Sequence, residues 1–163
     1  MDTSLSATRN NLLYDVCVDG AYSNLSGLSG CGGVILDQAG TMVEAFTCGI
    51  KARNSFEAEM WGCICGLRRV WNLEFKNCIL WTDSMDIIEL ENVDDFELHE
   101  SVELIREFKS LLVRDWTIQV VWRSRDENVY ADYFAKHALN TGPGLRLFTR
   151  EEAVACLEAD GIT

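Results

Sequence analysis

The sequence predicts an α/β domain on a five-stranded mixed sheet, three antiparallel strands then two parallel ones, with helices packed on it. Three observations carry that expectation. From Tyr14 to Cys48 apolar and polar residues alternate between short Gly- and Ser-rich breaks, as in a meander of strands. From Ser55 the apolar spacing lengthens to the period of a helix. Strand-like and helix-like runs then alternate, the pattern of a sheet with helices laid on it.

The strand Tyr14–Tyr22 puts Val16 and Val18 on one face and Cys17 and Asp19 on the other. The stretch Ser23–Gly33 reads as a turn into a second strand, Gly33–Leu36. After the Asp37–Gly40 turn, Met42–Cys48 returns as the third. In Ser55–Asn72, Met60, Ile64, Leu67 and Trp71 fall on one helical face. Asn77–Thr82 reads as a strand, Ser84–Leu90 as a short helix and Asn92–Phe96 as an acidic loop. A helix over Leu98–Val113 turns Val102, Ile105, Phe108 and Leu112 inward. Trp116–Trp122 is rich in β-branched and aromatic residues and reads as the fifth strand. Asn128–Leu139 is helical, with Ala131, Phe134, Ala135 and Ala138 inward. Gly142-Pro143-Gly144 breaks it, and Arg150–Leu157 forms a last short helix. The expected division is a lead-in over 1–13, a domain over 14–140 and a C-terminal extension over 141–163, its short helix packed on the domain.

At 163 residues the chain suits one domain, and 48% apolar with 25% charged residues is a globular balance. Seven cysteines without CxxC spacing, most of them in apolar runs, read as buried free thiols of an intracellular protein, nuclear or cytoplasmic. Zinc is excluded at this level, because paired loop-borne Cys or His are missing and only His99 and His137 are present. The five tryptophans fall at helical or strand spacing and read as mainly core. The net charge of −12 opposes passive nucleic-acid binding, which rests on basic residues that neutralise phosphates. Divalent cations or a partner protein would have to offset it.

Among 26 Asp and Glu residues, four stand in unusual places. Asp19 lies inside the first strand. Asp83 ends the apolar strand Ile79–Thr82, and sites in open α/β sheets collect beyond strand carboxyl ends. Glu59 borders the inner face of the first long helix, and Asp132 borders the Ala131/Ala135 stripe. Buried carboxylates brought together repel unless paired or bridged by metal, and an all-oxygen set selects Mg²⁺ or Mn²⁺. The bland reading makes Asp19-Gly20 a turn, Asp83 a helix cap, and Glu59 and Asp132 solvated borders.

With these residues the chain resembles the ribonuclease H type 1 family, in particular plant domains of the reverse-transcriptase-associated type. The resemblance lies in Val18-Asp19-Gly20-Ala21, in Gly30-Cys31-Gly32-Gly33-Val34-Ile35, in Ala58-Glu59-Met60 and in Thr82-Asp83-Ser84. It continues in Arg125-Asp126-Glu127-Asn128 through Ala131-Asp132-Tyr133-Phe134-Ala135, and spans about 14 to 161. It implies a ribonuclease H-like fold and hydrolysis of the RNA strand of RNA–DNA hybrids with two Mg²⁺ or Mn²⁺ ions. Asp19, Glu59, Asp83 and Asp132 would be both the catalytic and the metal residues, with Asp19 bridging. In such chemistry one ion activates water and the other stabilises the leaving 3′ oxygen. Gly20, Ala21, Ser55, Arg123, Arg125 and Asn128 would face the substrate, and a monomer is expected.

Three departures bear on the implied activity, the first slowing turnover and the other two weakening substrate grip. No His stands in the loop before Asp132, the protrusion that is basic in bacterial members is acidic over Asn92–Glu97, and Ser55-Phe56-Glu57 stands where several members carry Asn and Arg. Arg123 and Arg125 remain the phosphate-facing candidates, and they read equally well as solvated loop charges. The alternative function is a weakly active or inactive domain serving as a protein-interaction or nucleic-acid-binding module. Ala21, two residues after Asp19, excludes the Asp-x-Glu of related exonucleases and the Asp-x-Asp of dehalogenase-type phosphatases. Nothing resembles the sugar platform of a glycosidase.

Overall fold

A computed structural model describes residues 12–162, so most of the expected lead-in lies outside the described residues. The strands are β1 (Tyr14–Tyr22), β2 (Ser29–Leu36), β3 (Met42–Ile50), β4 (Asn77–Thr82), β5 (Thr117–Trp122) and β6 (Gly144–Thr149). The helices are α1 (Ser55–Asn72), α2 (Met85–Glu91), α3 (Val102–Leu112), α4 (Val129–His137) and α5 (Arg150–Ala159). One sheet orders the strands β5-β4-β1-β2-β3-β6. β1, β2 and β3 pair antiparallel, while β4 runs parallel to β1 and β5 parallel to β4. The expected mixed sheet is present, with a sixth strand added.

That strand is β6, antiparallel to β3 at its outer edge, with Phe46 opposite Leu147 and Ala45 opposite Phe148. α4 ends at His137, two residues short of the expected Leu139, and a 3-10 turn over Ala138–Asn140 precedes Gly142-Pro143-Gly144. The Leu145–Phe148 run escapes sequence reading because it alternates weakly: of its side chains only Phe148 is buried. β2 also begins four residues earlier than its apolar run. Gly30 and Gly32 lie within it, under the helix that crosses the sheet. A Cβ on Gly32 would stand 2.5 Å from the Ala135 nitrogen, and one on Gly30 2.5 Å from the Ala138 Cβ. These glycines mark close approach rather than a turn. α3 starts at Val102 instead of near Leu98, because the preceding residues form turns closed by His99 N–H to Phe96 O and Val102 N–H to His99 O.

The sheet separates two apolar layers. α1, α2 and α3 cover one face, burying Val16, Val18, Phe46, Ile64, Leu67, Leu80, Ile105 and Phe108. α4 and α5 cover the other, burying Val34, Ala45, Ala131, Phe134, Phe148 and Leu157. The tryptophans depart from the core reading. Trp61, Trp71, Trp81 and Trp116 are half-buried rim residues, and Trp122 is 47% exposed. Their ring nitrogens explain it in part, since an indole N–H needs a polar partner: Trp81 donates to Asp15 and Trp116 to the Leu111 carbonyl.

Gly32→Ala forces a methyl group into the α4 backbone, and overpacking of this kind costs about 1–3 kcal/mol. At this chain length each kcal/mol lowers the melting temperature by about 2–4 °C. Thermal unfolding measures it, and an unchanged melting temperature would refute the close approach.

Candidate metal centre

Two glycines let a helix touch the first strand, and that contact builds the site. A Cβ on Gly20 would overlap the Ala58 carbonyl carbon and the Glu59 nitrogen. A Cβ on Gly62 would stand 2.8 Å from the Asp19 carbonyl oxygen. With both absent, α1 lies against β1 and sets Glu59 beside Asp19. The Gly20 N–H donates to both carboxylates, at 2.9 Å to Asp19 Oδ1 and 3.1 Å to Glu59 Oε1. Asp83 joins them from the carboxyl end of β4, the strand parallel to β1. One carboxylate oxygen from each of Asp19, Glu59 and Asp83 lies within 4.8 Å of the others.

Asp19 and Glu59 are buried, at 3% and 8% exposure, which excludes a solvated-border reading for Glu59. Nor is Asp19-Gly20 a turn, since both residues pair within β1 and β2. Asp83 is not the cap of α2: Ser84 takes that place, accepting from the Ile87 N–H. Glu59 Oε2 and Asp83 Oδ2 are buried and have no hydrogen-bond partner. Arg125 Nε stands 3.7 Å from Asp83 Oδ2, in ion-pair range but too far for a hydrogen bond, on a side chain 80% exposed. Burial, helped by the charge of Asp83, pushes the Asp19 carboxyl up to about 6 against the pull of the Gly20 N–H. Burial and then Asp19 hold Glu59 well above the usual carboxylate range, and burial raises Asp83 against the pull of Arg125.

Glu57, one turn from Glu59's neighbours, shows how this fold treats a buried acid it neutralises. It accepts from Arg53 Nη2 at 2.6 Å and from Ser101 Oγ at 2.7 Å, and the Arg53 hydrogen bond holds it down at about 2. The triad has no such cation close in. Two orphaned buried oxygens in an all-carboxylate set fit a hard divalent cation, and such an ion would be held by Asp19, Glu59 and Asp83.

The remaining sequence candidates take different positions. Asp132 is near enough for its charge to raise Asp19 and Asp83, yet it stands outside the close group, paired with Lys136 Nζ at 3.0 Å. Asn128 is buried, and its Nδ2 donates to the Val18 carbonyl at 2.9 Å, bracing the strand just before Asp19. Arg123 lies 4.2 Å over the Trp81 ring, with Nη1 donating to Cys17 Sγ at 3.3 Å. Gly20 and Ala21 are half-buried at the end of β1, and Ser55 is exposed in the first turn of α1. Trp122 was hidden by its strand-like context. Its Nε1 donates to the Asp83 carbonyl at 3.3 Å, which places an exposed aromatic ring beside the acids. Its position as the last residue of a strand parallel to the Asp83 strand is the signal that could have marked it.

Residues 17–138 match the reverse transcriptase-like family. The chain belongs to that family. No curated protein matches it in sequence. Among solved structures, this reverse transcriptase-like domain is similar to the N-terminal RNase H domain of Rv2228c from Mycobacterium tuberculosis. They share 23% identity over 80% of this chain and 95% of the other, with a TM-score of 0.70. RNase H1 of the archaeon Halobacterium salinarum gives 21% identity, 80% and 98% coverage and a TM-score of 0.71. LC11-RNase H1, solved in complex with an RNA/DNA hybrid, gives 19%, 80% and 97%, and 0.66. At these identities the likeness establishes the ribonuclease H-like fold. No helix among the described residues is long and apolar enough to cross a membrane.

The raised carboxyls fix a pH dependence. A carboxyl raised in the folded state binds protons more tightly there than in the unfolded chain, so its stabilising contribution is full below about pH 4 and lost as pH rises through about 6. Asp19→Asn removes that loss. In metal-free buffer its melting temperature should match the parent's near pH 4 and exceed it at pH 7 by several degrees. Mg²⁺ should raise the parent more than the variant. A difference independent of pH would refute the strained triad.

Proposed function

We propose that this chain hydrolyses the RNA strand of RNA–DNA hybrids endonucleolytically. The observation that carries the reading is the pair of unsatisfied buried oxygens, Glu59 Oε2 and Asp83 Oδ2, beside Asp19. Two Mg²⁺ or Mn²⁺ ions held by Asp19, Glu59, Asp83 and Asp132 would supply water activation and charge neutralisation at the scissile phosphate. The chain's own part is placement. The Gly20 N–H fixes one oxygen of Asp19 and one of Glu59, leaving Glu59 Oε2 free for a cation. Asn128 holds the β1 backbone that carries Asp19. Turning from Lys136 would bring Asp132 to the same cluster, and that side chain is 31% exposed. Arg125 extends from the edge of the site as a phosphate contact, with Gly20, Ala21 and Ser55 lining the approach and Arg123 giving the loop its positive charge. The family match and the hybrid bound by LC11-RNase H1 support this substrate class.

A second reading, a weakly active or inactive module, draws on the net charge of −12 and on the exposed acids Asp94, Asp95 and Glu97 in the segment after α2. The two separate in one assay. With Mn²⁺ the purified chain should nick an RNA–DNA hybrid, and Asp19→Asn should lower the rate by at least about 10²-fold, the scale of losing one electrostatic contact to a transition state. Equal rates in the two proteins would defeat the catalytic assignment. Arg125→Ala should weaken hybrid binding and flatten the log–log salt dependence by about one unit, as the loss of one phosphate contact does. A salt slope that stays unchanged would remove Arg125 from the interface.

A further inference from the structure

Seven cysteines are all free thiols, and three of them meet. Cys31 of β2 pairs in register with Cys48 of β3, so their side chains leave the sheet on the same face. That face is covered by α1, where Cys65 stands one turn beyond Trp61 and one turn before Arg69. The three sulfurs lie within 4.8 Å of one another, and Cys31 Sγ to Cys65 Sγ is 3.8 Å. We propose that Cys31, Cys48 and Cys65 form a three-thiolate site for a soft d¹⁰ cation, Zn²⁺ or Cu⁺, separate from the acidic centre.

Spacing along the chain conceals this group. The strand register joins two of its members and the helix supplies the third, so no CxxC pattern is needed. A metal–sulfur distance of about 2.3 Å places the sulfurs of a thiolate site roughly 3.8–4.0 Å apart. One pair already meets that separation, and the others need shifts of less than about an ångström. Thiolate donors select Cu⁺ and Zn²⁺ over the hard cations that suit carboxylates, which keeps the two centres chemically distinct. Access exists as well. Cys31 is fully buried and Cys65 is 8% exposed, whereas Cys48 is half-buried and brings the group to the surface. Zn²⁺ would take a fourth ligand from solvent on that side, and Cu⁺ would be complete with three sulfurs. Binding releases the thiol protons to solvent and involves no change of oxidation state in the protein. The other four cysteines are an internal contrast: Cys17 accepts from Arg123, Cys63 is fully buried in the α1 core, Cys78 donates to the Phe75 carbonyl, and Cys156 lies on α5.

The test uses the full chain, reduced and free of oxygen. Equilibrium dialysis with Zn²⁺ and, in a separate arm, Cu⁺ measures stoichiometry. Cd²⁺ serves as the spectroscopic probe, because its sulfur-to-metal charge-transfer absorption reports thiolate ligands and is blind to carboxylates. One ion per chain in either arm, with a charge-transfer band that disappears in Cys48→Ser and Cys65→Ser but persists in Cys156→Ser, establishes the site. Circular dichroism checks that each variant is folded. Should Cys65→Ser fail to fold, the half-exposed Cys48→Ser decides. Absence of the band in the parent, its persistence in folded Cys48→Ser, or its equal loss in Cys156→Ser overturns the proposal.

Discussion

Close contact between α1 and β1 governs the chemistry of this molecule, because it brings two carboxylates together where water cannot solvate both. Gly20 faces the Ala58–Glu59 backbone and Gly62 the Asp19 backbone across that contact, and a side chain on either would push the helix away from the strand. The single N–H of Gly20 then serves both Asp19 and Glu59, while Glu59 Oε2 and the neighbouring Asp83 Oδ2 are left without a partner. Unmet capacity in a buried acid is costly, and the fold removes that cost elsewhere, as Arg53 and Ser101 do for Glu57. The sheet therefore maintains an electrostatic debt at one end of β1 and β4 that a cation can discharge.

Much of this was legible in the sequence, for identifiable reasons. α1 was readable over its full Ser55–Asn72 span because its inward face repeats with a helical period. β1 and β4 were readable because they alternate or run apolar between clear breaks. The three close acids stood out as charges where a sheet or an inner helix face wants apolar groups. What stayed hidden depends on contacts distant in sequence. Gly30 and Gly32 look like turn residues until α4 is seen to cross them. β6 hides because an edge strand with one buried side chain has almost no pattern to read. Trp122 looked like core because a strand residue's exposure depends on which helix, if any, covers it. Asp132 stands outside the close group, and its pairing with Lys136 is an orientation that no spacing along the chain encodes.

The helix α1 carries both hard and soft donors. Glu59 and Cys65 are six residues apart, about 9 Å along the axis, so oxygen and sulfur ligands sit on one rigid element without sharing a ligand sphere. The bidentate ion pair of Arg69 with Glu44, at 2.8 and 2.9 Å, ties the far part of the same helix to β3. Any shift of α1 along its axis would disturb the acids, the thiols and this ion pair at once.

The family match ends at residue 138, yet the sheet continues to β6 and α5. β6 occupies the outer hydrogen bonds of β3 over Glu44–Cys48, and α5 brings Ala153 and Leu157 onto the layer that holds Phe134 and Phe148. A protein trimmed to the matched span would present a raw β-edge next to an uncovered apolar face, the combination from which intermolecular strand pairing grows. The last two elements thus act as a hem on the sheet, and a minimal soluble unit has to be cut outside them.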